Sequence, residues 1–260
     1  MVSAGDVQHE LDGVWSRIRG GVIVSCQASE GHPLRSASII SRIAEAVVTS
    51  GAVGVRIDTP AHIEAVRRAV DTTVIGLWKD GSSDVYITPT LEHARAVALA
   101  GADIIAIDGT PRARPDARSL PEVIEALHAE FGCLVLADVA TAAEGIAAVR
   151  SGADAVATTL AGHTDAPLAE VGPAFETLSE MTARLDVPVL AEGGIERPQQ
   201  AHDALRRGAW SVVIGKAITS PDWITARFVA AAAAGRGGVD TPGASGDGRG
   251  RPAQHEADLR

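Results

Sequence analysis

Gly101-Ala102-Asp103-Ile104-Ile105-Ala106-Ile107-Asp108-Gly109-Thr110 is the stretch on which the reading of the fold turns. Its apolar run, Ile104–Ile107, is continuous rather than alternating, which suits a strand covered on both faces, as in a parallel sheet. The glycine before it suits the left-handed position that closes a helix. The same signature stands at Gly51-Ala52, Gly152-Ala153-Asp154 and Gly208-Ala209, at intervals of about 50 residues, each with room for two strand–helix units.

Outward from this stretch, apolar β-branched runs predict strands at Val22–Ser25, Val53–Ile57, Val74–Trp78, Ile104–Ile107, Leu134–Ala137, Ala155–Thr158, Val189–Ala191 and Ser211–Ile214. Helical patterns separate them at Ser38–Ser50, Pro60–Val70, Leu91–Ala100, Leu120–Phe131, Ala142–Ser151, Ala174–Leu185, Pro198–Arg207 and Pro221–Ala234. Pro60 and Pro198 fall in first turns, where a missing N–H costs nothing. Such an alternation predicts an α/β protein built as a (β/α)8 TIM barrel. An open doubly wound sheet would carry GxGxxG after its first strand; the chain instead runs Cys26-Gln27-Ala28. Residues 1–20 are expected to form an arm or a short helix around Val7–Ile18, residues 21–234 the catalytic barrel, and the Gly-, Pro-, Asp- and Arg-rich residues 235–260 a disordered tail.

Composition narrows the function. The chain has 260 residues, 46% of them hydrophobic, with 33 acidic against 23 basic side chains and a net charge of −10. With aromatics at 3%, a nucleic-acid partner is disfavoured, since it would call for a basic face and stacking rings. Two cysteines, Cys26 and Cys133, offer neither a disulfide framework nor zinc spacing, and a reducing cytoplasm is expected. No leader pattern opens the chain, and the tract Phe228–Ala234 is too short to span a bilayer, so no membrane partner is expected.

In a (β/α)8 barrel the chemistry sits where strands end and βα loops begin. Those positions hold Gln27, Arg56, Lys79, Asp108, Asp138, Thr158 with Thr159, Glu192, and Gly215 with Lys216. Each has a bland reading: charged residues after strands are often solvated loop starts, Asp138 could cap the helix near Thr141, and Arg56 could be a structural partner of Asp138 or Asp108. Lys79 and Glu192, flanked by apolar runs, are the favoured catalytic pair. A phosphate site is expected from Gly193-Gly194 and Gly215-Lys216 in the loops after the seventh and eighth strands, where glycines admit close backbone approach and Lys216 adds charge. His163 lies on the proper side to touch substrate, although a lone loop histidine is more often solvated surface. The 8 histidines form no HExxH or two-His-one-carboxylate cluster, so no metal is expected, and no GxSxG elbow supports serine-hydrolase chemistry.

The motifs then fall in a familiar order. They run Gly21-Val22-Ile23-Val24-Ser25-Cys26-Gln27-Ala28, Gly51-Ala52-Val53-Gly54-Val55-Arg56, Val74-Ile75-Gly76-Leu77-Trp78-Lys79, Tyr86-Ile87-Thr88-Pro89-Thr90 and Gly101 through Thr110. Asp138, Thr158-Thr159-Leu160-Ala161-Gly162, Ala191-Glu192-Gly193 and Gly215 through Thr219 follow. From Gly20 to Phe228 the chain resembles the N-acylglucosamine-6-phosphate (N-acetylmannosamine-6-phosphate) 2-epimerase family. The resemblance implies a cofactor-independent isomerase interconverting N-acetylmannosamine 6-phosphate and N-acetylglucosamine 6-phosphate in amino-sugar and sialic-acid catabolism. It also implies that Lys79 and Glu192 move the protons, that Asp138, Arg56 and Gln27 orient and polarise the open-chain sugar, and that Asp108 contacts a hydroxyl or organises its end of the barrel. The chain departs from the family pattern at Asp80, Gly194 and Ser220, where the family usually has Arg, at His163, where it has Tyr, and at Lys216, where it has a small residue. Lys216 or Arg197 is then a candidate to replace charge at the phosphate end. A homodimer is the expected assembly.

Inverting carbon 2 of such a sugar requires ring opening, removal of the proton alpha to the aldehyde, stabilisation of the enolate oxygen, and reprotonation from the opposite face. Lysine can act as base near neutral pH only if its pKa is lowered by burial or nearby cations. Three other readings stand beside this one: a Schiff-base aldolase using Lys79, another phosphosugar isomerase or epimerase, and a non-catalytic sugar-phosphate sensor.

Overall fold

The computed structural model describes residues 13–164 and 172–236. Eight parallel strands close into a barrel in sequence order: β1 (Val22–Cys26), β2 (Gly54–Asp58), β3 (Thr73–Leu77), β4 (Ile104–Asp108), β5 (Leu134–Asp138), β6 (Ala155–Ala157), β7 (Val189–Glu192) and β8 (Ser211–Ile214), with β8 pairing back onto β1. Helices α1 (Ala37–Thr49), α2 (Pro60–Ala69), α3 (Leu91–Leu99), α4 (Leu120–Phe131), α5 (Ala142–Arg150), α6 (Phe175–Arg184) and α7 (Pro198–Arg206) connect them. A short α8 (Lys216–Thr219) and then α9 (Pro221–Arg236) follow β8. The glycines of the sequence repeat all have positive φ, from 92° to 101° at Gly51, Gly101, Gly152 and Gly208, so they end their helices as expected. Caps are local: in α5 the Thr141 hydroxyl accepts from Glu144 N at 3.2 Å while the Glu144 carboxylate accepts from Thr141 N at 3.0 Å.

Strand parity decides which side chains can reach the site. Val55, Ile57, Ile105, Ile107, Val135 and Ala137 pack outward against the helices. Ile75, Leu77, Ile104, Ala106, Leu134, Leu136 and Leu190 fill the interior. Side chains two apart share a face, so Arg56, Asp58, Asp108, Asp138 and Glu192 all face into the barrel at its C-terminal end. The opposite end is closed by the helical residues 13–18, whose Val14, Trp15 and Ile18 join the interior cluster. Trp210 Nε1 donates to Trp15 O at 2.8 Å and pins that turn in place.

Two boundaries differ instructively from the sequence reading. β2 continues to Asp58, because that carboxylate is satisfied inside the barrel. β6 stops at Ala157 and Thr158 begins a 3-10 turn, since the Thr158 hydroxyl is held by the backbone of Glu192. The helix expected at Val7–Ile18 is described only over residues 13–18. The last helix runs to Arg236, and the expected disordered tail otherwise lies outside the described residues.

Candidate active site

Arg56 is the centre of the site. Its long side chain leaves β2 and crosses the barrel interior with 1% exposure. Nη1 donates to Asp138 Oδ1 at 3.0 Å and Nη2 to Asp138 Oδ2 at 2.5 Å, a bidentate pair between β2 and β5. Nη1 also donates to Glu192 Oε2 at 2.6 Å, which brings in β7. The Thr159 hydroxyl lies 2.5 Å from Asp138 Oδ1 and 3.1 Å from Glu192 Oε2, bonding both carboxylates. Arg56 Nε is buried with no hydrogen-bond partner among the described residues. Thr158 is buried and anchors Glu192 through its backbone, donating to Glu192 O at 2.8 Å and accepting from Glu192 N at 3.0 Å.

The charges shift one another. Burial opposes the Arg56 cation, but Asp138 and then Glu192 outweigh it, and Arg56 is held firmly protonated. Burial, reinforced by the charge of Asp138, pushes the Glu192 carboxyl above the usual range, although Arg56 and Thr159 pull against it. Lys79 follows β3, held extended by a bridge to Ile87. Lys79 is exposed by its solvent-accessible area, and its pKa is lowered, with desolvation the largest cause. Arg56 adds to that lowering, while Asp58, Glu192 and Asp138 oppose it.

The other expected residues lie around this knot rather than in it. Asp108 is fully buried, but its carboxylate is engaged by Thr110 N at 2.9 Å, the Thr110 hydroxyl at 2.6 Å and Arg112 Nη2 at 2.7 Å, so it organises its own loop. Gln27 is half-buried one residue beyond β1. His163 is exposed, as is Lys216 at the start of α8. Gly193 and Gly194 both have positive φ, 96° and 68°. At Gly194 a Cβ would meet the backbone of Gly172 at 2.4 Å and Pro173 N at 2.8 Å, so the arginine usual in the family has no room here.

Sequence reading passes over three residues that the fold brings to this end of the barrel. Asp58 accepts the backbone N–H of Lys79. Arg112 pairs with Asp108. Tyr86 has its phenol pKa raised by burial and then by Asp138. The position of Tyr86 two residues before the Thr88–Pro89 turn gave no signal of its own. Strand parity, extended one step past Ile57, would have found Asp58.

Residues 40–234 match the sequence profile of the family described as "Putative N-acetylmannosamine-6-phosphate epimerase". A "Putative N-acetylmannosamine-6-phosphate 2-epimerase" of Thermosynechococcus vestitus is 49% identical over 218 residues, 83% of this chain and 95% of the relative. One of the same description from Cutibacterium acnes is 44% identical over 219 residues, 84% and 96% of the two chains. Among solved structures, the N-acetylmannosamine-6-phosphate 2-epimerase from Clostridium perfringens superposes with a TM-score of 0.81 at 36% identity, covering 84% of this chain and 95% of the other. A thiamine phosphate pyrophosphorylase from Pyrococcus furiosus, 16% identical over 81% of this chain and 93% of its own with a TM-score of 0.53, shares the fold alone. The chain belongs to the N-acetylmannosamine-6-phosphate epimerase family.

Proposed function

We propose that this protein is an isomerase that inverts carbon 2 of N-acetylmannosamine 6-phosphate to give N-acetylglucosamine 6-phosphate, without a cofactor. The observation that carries the reading is the buried Arg56–Asp138–Glu192 cluster at the C-terminal end of the barrel, with Lys79 leaving β3 at the same end; there desolvation moves Lys79 down and Glu192 up from their ordinary values. A two-base epimerase uses two proton arrangements in turn. With Glu192 ionised and Lys79 protonated, the carboxylate removes the carbon 2 proton and the ammonium delivers one to the other face. The pair is then left as neutral lysine and carboxylic acid, which is the arrangement the reverse reaction needs. Shifts in these opposite directions favour exchange between the two arrangements.

The electron pair left at carbon 2 moves onto the carbon 1 oxygen, and a buried guanidinium is the kind of donor that holds such charge. Arg56 supplies that positive charge from within the barrel, where Asp138 and Glu192 hold its guanidinium. Asp138 and Thr159 keep the guanidinium oriented, Thr158 holds Glu192 through its backbone and Asp108 organises its own loop, while Gln27 and His163 complete the sugar pocket. The phosphate is bound by Gly193 and Gly194 after β7 and by Gly215 and Lys216 after β8. The catalytic unit is the barrel of residues 21–234, and the protein acts in the cytoplasm on a small phosphosugar. None of the described helices is long and apolar enough to cross a membrane. A homodimer is supported by α9, which exposes Phe228 at 73% and Val229 at 60%.

Proton NMR of the purified protein with N-acetylmannosamine 6-phosphate tests the reading. Acetyl and anomeric signals of N-acetylglucosamine 6-phosphate should grow to equilibrium; unchanged substrate, or an aldehyde cleavage product, would overturn it.

A further inference from the structure

The proton-transfer scheme leaves the buried charge of Asp58 unused. Asp58, the last residue of β2, faces the barrel interior with 3% exposure. Its Oδ1 accepts the backbone N–H of Lys79 at 2.8 Å, and its Oδ2 accepts from Arg35 Nη1 at 3.4 Å. The same Arg35 nitrogen donates to Ala28 O at 2.7 Å. One carboxylate thus ties the loop after β1 and the end of β2 to the point where the chain leaves β3. Together with the Lys79–Ile87 bridge, it fixes the peptide from which the Lys79 side chain departs. A carboxylate is a stronger acceptor than a carbonyl for this purpose, but burying one is costly unless its charge also serves.

We propose that Asp58 is the positioning residue for Lys79: its buried carboxylate fixes the peptide from which the lysine departs and biases the lysine toward its charged form, with Arg35 moderating that charge. The inference rests on the reading of Lys79 as a proton-transfer group. The charged groups facing Lys79 are Asp58 and Arg56 from β2, Asp138 from β5 and Glu192 from β7. Around Asp58 stand Arg35 from the loop after β1 and His62 from α2. Asp138 and Glu192 are both engaged by Arg56 at 2.6 Å or less. Asp58 has only the longer contact to Arg35, a side chain 26% exposed, so its charge is the less neutralised. Among the carboxylates it is also the one that holds the lysine cationic most strongly against the desolvation that would discharge it.

The test compares wild type with Asp58→Asn, which keeps an acceptor for the Lys79 N–H but loses the charge, and Arg35→Gln, which unmasks the charge. Competitive labelling of Lys79 with acetic anhydride across pH, read by mass spectrometry against a reference amine, reports its titration without turnover. In Asp58→Asn the midpoint should fall by about half a pH unit or more, and in Arg35→Gln it should rise. The limb of kcat/KM governed by Lys79 should move with it in each variant, and thermal melting should confirm that both are folded. If Asp58→Asn does not fold, the rise in Arg35→Gln carries the test. A Lys79 midpoint that stays put, or moves the same way in both variants, overturns the inference. Shifted labelling in a protein without epimerase activity would instead count against the proposed function and leave the role of Asp58 standing.

Discussion

Arg56 and Asp138 meet through two parallel hydrogen bonds of 3.0 and 2.5 Å, with both side chains at 1% exposure or less. A fork-to-fork pair of this kind fixes the plane of the guanidinium as well as its position. In this barrel it spans from β2 to β5 across the interior, and the same Nη1 then reaches Glu192 on β7. The orientation of the proposed catalytic carboxylate therefore depends on the Arg56–Asp138 pair.

Breaking that pair from one side should be costly. Arg56→Met leaves the buried Asp138 and Glu192 carboxylates without their cation and should destabilise the fold by about 3–5 kcal/mol in urea denaturation, whereas Asp138→Asn, in which Arg56 keeps Glu192, should cost less. The double variant Arg56→Met with Asp138→Leu should be more stable than Arg56→Met alone, while Glu192 still lacks its cation and the protein stays inactive. Near-wild-type stability in both single variants would show that the pair carries little structural load.

Thr159 connects the two carboxylates with one hydroxyl proton. Its bond to Glu192 favours the ionised form, so Thr159→Val should push the already raised Glu192 pKa higher. The limb of the pH–rate profile governed by Glu192 should move to higher pH, with kcat at neutral pH reduced several-fold and KM little changed. An unmoved profile would remove Thr159 from the tuning of this carboxylate.

How much of this was legible in the sequence follows from strand parity. Continuous aliphatic runs gave eight strands in order, and the helix-ending glycines gave their spacing. Arg56, Asp138, Thr159 and Glu192 could be singled out as candidates because each lies at or near a strand end. Their direct contacts could not be read, because Arg56 lies in the body of β2 and reaches strands far along the chain. Asp58 was missed because Arg56 already stood for the end of the second strand, although the two lie two residues apart on one face of β2. For Asp108 the local sequence was ambiguous: Thr110 and Arg112, two and four residues on, take up its carboxylate.

The Gly194 backbone is a second place where the structure constrains chemistry. Its φ of 68° and the close approach of Gly172 and Pro173 leave no space for a Cβ. Gly194→Ala should cost about 1–3 kcal/mol of stability, from strain and displaced backbone together, and raise KM for the phosphosugar more than it lowers kcat. A variant of unchanged stability and KM would show that the loop after β7 yields freely and does not shape the phosphate end.

At the opposite end of the barrel, His128 Nε2 lies 2.9 Å from Asp154 Oδ2, and that bond raises the histidine pKa against the opposing effect of burial. The folded pKa is above the unfolded one, so the stabilisation is fully present below about pH 6.5 and is lost as pH rises through the folded value. The melting-temperature difference between wild type and His128→Gln should therefore be larger at about pH 5.5 than at about pH 8.5. A difference that grows with pH would contradict this sign.

The central claim is that Lys79 and Glu192 move protons on opposite faces of carbon 2, and deuterium tests it most directly. N-acetylmannosamine 6-phosphate is converted in deuterated water to low extent, and carbon 2 of product and recovered substrate is read by NMR. Two-group transfer predicts product carrying deuterium at carbon 2 from the first turnovers, with recovered substrate labelled more slowly. Product that retains the original proton would contradict the account, because one group would then be removing and returning it.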